Sequence, residues 1–206
     1  MNKRRAVRTE NLRLALAQEA ARVMAEHGIR DFLAAKRKAA ERFGVADGAV
    51  LPKNTEIEAA LAQYQRLFAA ESHAESLLTQ RHAALHAMRC LAQFAPRLVG
   101  SVLSGTATAH CDVQLHVFAD SAEAVLINLM DRSIPHEVTE RRVKMGVERV
   151  IAYPAVRFAI VDQAIDATVF PADGIRQAPV SPVDGKPMRR ANLGEVEALI
   201  GDSAAL

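Results

Sequence analysis

At Pro96 the hydrophobic period of the chain changes, and that change limits the folds open to it. Upstream, apolar residues recur at helical spacing; downstream, they alternate as in strands. Leu12, Leu16, Ala20 and Val23 share one helical face between about 9 and 27, and Gly28 supplies the stop. A second helix is expected from Ile29 to Phe43, ending at Gly44, and the Gly and Pro content of 45–54 predicts a loop. Thr55 and Glu58 have the spacing of a capping box for a third helix reaching about Ala70, and a fourth runs from about His73 to Phe94.

Beyond Pro96 the pattern predicts a strand in RLVGSVL, a loop in SGTATAH and a strand in CDVQLHVF. A helix from Ser121 to about Asp131 and a short strand, HEVTE, follow. AVRFAIV and AIDATVF then read as a hairpin turning at Asp162 and Gln163. The tail is turn-rich, with helical spacing regained only in LGEVEALI. The expected architecture is α+β: a helical region over 1–95 packed on an α+β unit over 96–206.

Half of the 206 residues are hydrophobic, enough for a real core. Neither an uninterrupted apolar span of membrane length nor a signal-peptide core is present, and Cys90 and Cys111 have no disulfide or zinc spacing, so a cytoplasmic protein without membrane contact is expected. The net charge of +2 hides an asymmetry. Residues 1–44 carry eleven Lys and Arg against five Asp and Glu, a net +6, which leaves −4 for the rest. A basic front of this kind suits contact with a polyanion, or is simply solvated.

Within the strand that starts near Cys111, period 2 puts Asp112, Gln114, His116 and Phe118 on one face and Val113, Leu115 and Val117 on the other. A polar face is displayed just after a glycine-bearing loop. Gly100 to Leu115, GSVLSGTATAHCDVQL, resembles the signature loop of the polymerase-beta-like nucleotidyltransferase superfamily, written GSxARGxAxxxSDIDL. Gly100, Ser101, Gly105, Ala107, Asp112 and Leu115 match without a gap, and Val113 stands conservatively for Ile. The resemblance covers chiefly 97–170 and makes no claim on the helical half.

The resemblance implies a mixed sheet with helices and transfer of a nucleoside monophosphate from a nucleoside triphosphate to an acceptor such as RNA, a protein or a small molecule. It further implies that Gly100, Ser101 and Gly105 receive phosphates through close backbone approach and the Ser101 hydroxyl. Carboxylates holding Mg²⁺ (or Mn²⁺) would activate the acceptor and neutralise the leaving group. On this reading Asp112 is a metal ligand, and Asp166, which interrupts the apolar run QAIDATVF, matches the carboxylate of the neighbouring strand.

The chain also departs from the pattern. Gln114 replaces the second carboxylate, offering an amide oxygen without charge. Leu103 and Ser104 stand where many members have Ala and Arg, and Cys111 where they have Ser. A nucleotide-binding or protein-interaction module that has lost catalysis is therefore the alternative to an enzyme. His116, on the same face, could hydrogen-bond a phosphate or a water, but reads first as a neutral polar residue on an exposed face. Arg176, Lys186, Arg189 and Arg190, in the turn-rich tail, could reach a triphosphate. His82 and His86, four apart on a helix, have metal-clip spacing without the Glu of a zincin. A third, weaker reading makes residues 25–44 part of a helix-turn-helix, with Lys36, Arg37, Lys38 and Arg42 on DNA phosphates.

Overall fold

The computed structural model describes residues 2–45, 50–146 and 149–204. Part of the expected 45–54 loop, positions 46–49, lies outside them, as do the side chains of Lys3, Arg4, Arg5 and Arg8. The class is α+β, with N-terminal helices followed by a C-terminal sheet. The chain divides into two compact units: Met1–His73 with Thr108–His110 and Pro182–Asp184, and Ala74–Ala107 with Cys111–Ser181 and Gly185–Leu206.

The first unit holds helices α1 (Asn2–His27), α2 (Phe32–Arg42) and α3 (Asn54–Phe68). Gly28 ends the first segment at φ +65, and Asp31 opens α2 by accepting the Ala34 N–H at 2.7 Å on Oδ1. The α3 cap differs from expectation: the helix starts at Asn54, and Glu56 rather than Glu58 reaches back, accepting the Lys53 N–H at 2.7 Å. Leu16, Ala20, Ala21, Ala39, Ile57 and Leu61 form its core. The many alanines let the helix backbones approach closely.

The second unit takes in all but the first turn of α4 (Ala70–Cys90), the division falling between His73 and Ala74, and at Pro96 helix yields to strand. A five-stranded mixed sheet follows in the order β1-β2-β5-β4-β3. Its strands are β1 (Arg97–Val99), β2 (Val113–Phe118), β3 (His136–Lys144), β4 (Val150–Ile160) and β5 (Gln163–Phe170); between and after them lie α5 (Gly100–Ser104), α6 (Ala122–Asp131) and α7 (Leu193–Ala204). Only β2 and β5 pair in parallel; the other three pairings are antiparallel.

One sheet face carries Leu98, Leu115, Ile165, Ala167, Val156 and Phe158, buried with Ala84, Met88, Leu91, Leu129 and Val196 from the helices. That is the core of the unit, and the helices have claimed this face. The other face carries the polar members of the same strands.

The expected strand RLVGSVL is corrected: extension stops at Val99, and α5 starts at Gly100. Gly100 adopts φ +74, which breaks the extended path, and the Ser101 carbonyl then accepts N–H groups of Gly105, Thr106 and Ala107 at 2.9–3.2 Å. The short strand expected in HEVTE extends to Lys144, and the hairpin turns one residue earlier than expected, at Val161 and Asp162, both with positive φ.

Candidate functional site

The pairing register places the candidate residues in rows across the polar face. Val99, Gln114, Asp166, Arg157 and Glu137 form one row, each opposite the next on β1, β2, β5, β4 and β3. Arg97, His116, Thr168, Ala155 and Thr139 form the next. Asp112 lies just before β2 rather than within it. The structure thus brings Gln114 and Asp166 together directly, with Gly100 following Val99 at the end of the same row.

The glycine and the amide are packed on one another. A Cβ on Gly100 would stand 2.5 Å from Gln114 Oε1 and 3.3 Å from its Cδ, so the amide lies against the glycine backbone at the turn where the resemblance would bring a phosphate. Gly105 adopts φ +85 at the end of α5, and the neighbouring hydroxyls of Ser104 and Thr106 are 2.9 Å apart. Beneath this turn Arg81 of α4 is buried, its Nε directed to the Val102 carbonyl at 3.5 Å and its Nη1 to that of Leu199 at 3.4 Å. The middle of the signature loop, Thr108–His110, belongs to the first unit, where the His110 ring borders Gly28.

Each candidate carboxylate has an arginine. Arg157 Nη2 donates to Asp112 Oδ2 at 3.1 Å, crossing β5 to do so, and Arg141 Nη2 donates to Asp166 Oδ2. Arg141 stands opposite Tyr153, beyond the stretch over which β4 pairs with β5, so the β3–β4 ribbon bends over the polar face to deliver it. Asp166 is 6% exposed, and its Oδ1 is buried without a hydrogen-bond partner.

His116 is buried rather than solvent-facing, at 5% exposure. Its ring packs on Phe170 at 4.7 Å, and its Nδ1 accepts from Arg190 Nε at 3.1 Å, which leaves the ring proton on Nε2. Burial first, then the charges of Arg190 and Arg141, push its pKa down from 6.5 to about 3. Arg190 lies over the rings of Phe118 and Phe170, 5.0 and 5.4 Å from their centroids.

This donor set does not fit a pair of Mg²⁺ ions. Such ions need several anionic oxygens converging on one point. Here both carboxylates are turned to guanidinium groups and the Gln114 amide to a glycine; Asp166 Oδ1 is a single orphaned acceptor. Among the described residues no group of three or more His, Cys, Asp and Glu could share a metal ion. His82 and His86 are exposed on α4 and line a cleft of about 280 Å³ with Thr79, Ala83, Val161 and Gln163.

Sequence reasoning missed Arg141, Arg157 and Arg97. Arg157 carried a usable signal, being the one charged residue in the apolar run AVRFAIV. In the basic helices three arginines are paired with carboxylates: Arg13 with Glu10 and Glu56, Arg22 with Glu19 and Glu26, and Arg42 with Glu19. Of the cluster at 36–38, Arg37 and Lys38 are exposed and Lys36 is half-buried. Among the described residues no helix is long and apolar enough to cross a membrane. No known protein family, curated protein or solved structure matches the chain.

Proposed function

We propose that the second unit is a nucleotidyltransferase-like module that binds a nucleotide through its phosphates, without a divalent cation and without transferring the nucleotidyl group. The observation that carries this reading is the pairing of Asp112 with Arg157 and of Asp166 with Arg141. Those guanidinium groups supply, permanently, the positive charge that a transferase of this type takes from metal ions. Positive charge is then left over on the same face, in Arg97 and Arg190, while His116 stays neutral. Polyphosphate is the anion that the glycine turn and Ser101 suit best, as the signature resemblance implies.

Calorimetry of the full chain with ATP, GTP, CTP and UTP, each in Mg²⁺ and in EDTA, tests it. The expected result is binding of at least one nucleotide with the same affinity in both buffers. Incubation with labelled triphosphates, Mg²⁺ or Mn²⁺ and a cell extract should yield no labelled product. Binding only with the metal, or a labelled product that Asp112→Ala abolishes, would establish the transferase instead.

A further inference from the structure

We infer that Arg97, opposite His116 in the sheet, and Arg190, which donates to the His116 ring, form a binding site for a phosphoryl group. The inference rests on the reading of the polar face as a nucleotide-binding surface and says where on it the phosphate is held.

After the two ion pairs are set aside, these guanidinium groups remain without a carboxylate among the described residues. Arg97 stands opposite His116 in the β1–β2 pairing, and its Nη1 is spent on the backbone carbonyls of Ala95 and Pro96 at 2.9 and 3.0 Å. Arg190 approaches the same imidazole from the tail, its Nη1 donating to the carbonyls of Gly174 and Ile175 at 3.1 and 3.2 Å. Every acceptor these two side chains use is neutral. Arg190 Nη2 is buried and has no acceptor at all.

Such an arrangement is costly as it stands. Arginine cannot shed its charge in a protein, and with both side chains half-buried a bound anion would relieve their repulsion. Arg97 and Arg190 each directly precede a residue of the antiparallel bridge between Leu98 and Ala191, which brings them to one edge of the sheet, and burial and the charge of Arg97 both weaken the hold of Arg190 on its proton. Meanwhile carbonyls, aromatic faces and His116 fix the Arg190 plane before any ligand arrives, which lowers the ordering cost of a bidentate contact. Two fixed guanidinium groups match the charge of a phosphoryl dianion better than that of a monoanionic carboxylate. Free phosphate and the phosphates of a nucleotide share this chemistry.

The test is titration of the full chain, in EDTA, with inorganic phosphate, pyrophosphate, ATP and acetate. Phosphate should bind and raise the Tm of the wild type, and acetate should bind at least tenfold more weakly. Arg97→Gln and Arg190→Gln should each weaken phosphate at least tenfold, Arg190→Lys should weaken it less, and Arg132→Gln, at an exposed position just after α6, should leave it unchanged. Should Arg190→Gln fail to fold, Arg97→Gln, whose lost hydrogen bonds go to the backbone carbonyls of Ala95 and Pro96, still decides. Phosphate that binds wild type and Gln variants equally, or not at all, overturns the site. Phosphate binding that ATP does not improve leaves the arginine site standing and removes the nucleotide reading; ATP binding indifferent to both Gln variants does the reverse.

Discussion

Gln114 and Asp166 stand opposite one another in the parallel pairing of β2 and β5, and Arg157 stands opposite Asp166 on the far side. An amide, a carboxylate and a guanidinium thus lie in one row across the sheet. With Gln114 neutral, one arginine balances the charge of Asp166, though only through Oδ2. A second carboxylate there would need further positive charge, which a metal ion supplies in a working transferase.

Gln114→Asp therefore tests what the amide does. Placing like charges on directly opposed residues is expected to cost about 1 kcal/mol in EDTA, seen as a lower Tm. If the sheet face is a binding surface, the variant gains no transfer of labelled nucleotide in Mg²⁺ or Mn²⁺. A gain of transfer activity would show an enzyme that one substitution had weakened.

Gly100→Ala strikes the same row from the other end. Its φ of +74 disfavours any side chain, and the added carbon meets Gln114 Oε1. The expected loss is about 1–3 kcal/mol in urea unfolding. Combining it with Gln114→Ala removes the collision but not the backbone strain, so the pair should couple by more than about 0.5 kcal/mol. Strict additivity would mean that the amide does not press on the glycine.

His116 makes stability depend on pH. The unfolded imidazole takes up a proton near pH 6.5, whereas the buried one resists until about 3. Between these values the unfolded chain binds more protons, so stability declines as the pH falls from 6.5 and does not depend on this group above it. The slope from this one residue approaches about 1.4 kcal/mol per pH unit. His116→Gln keeps an acceptor for Arg190 Nε without a titration. Urea melts of both proteins at pH 7.5, 6, 5 and 4 should show the variant gaining on the wild type at each step downward. A constant difference would mean that the ring is protonated in the fold.

The strands were legible because alternation alone separates Leu115 and Val117, which enter the core, from Gln114 and His116 on the opposite face. The run VGSVL was ambiguous: apolar residues flank a glycine, and nothing local says that its φ turns positive. His116 was misplaced because alternation reports the face and not what covers that face. Phe170, three strands further along the chain, and Arg190 from the tail do the covering. The ion pairs were invisible for a related reason. Arg141 is 25 residues from Asp166 and Arg157 is 45 from Asp112, and only the register and bend of the β3–β4 ribbon join them.

That ribbon supplies the sharpest test of the paired face. Arg141→Met leaves Asp166 buried, with Oδ1 already lacking a partner and Oδ2 deprived of its own. Losing one member of a fully buried pair costs several kcal/mol, but the Arg141 side chain is 42% exposed, and water screens what remains. A loss of about 1–3 kcal/mol is expected. Asp166→Asn alone should cost less, because it frees a half-exposed guanidinium to the solvent instead of stranding a carboxylate. The double variant Arg141→Met with Asp166→Asn should then regain most of the Arg141→Met loss in urea unfolding at pH 7.5. A double variant no more stable than Arg141→Met would show that Arg141 acts by packing over the sheet and not by its charge.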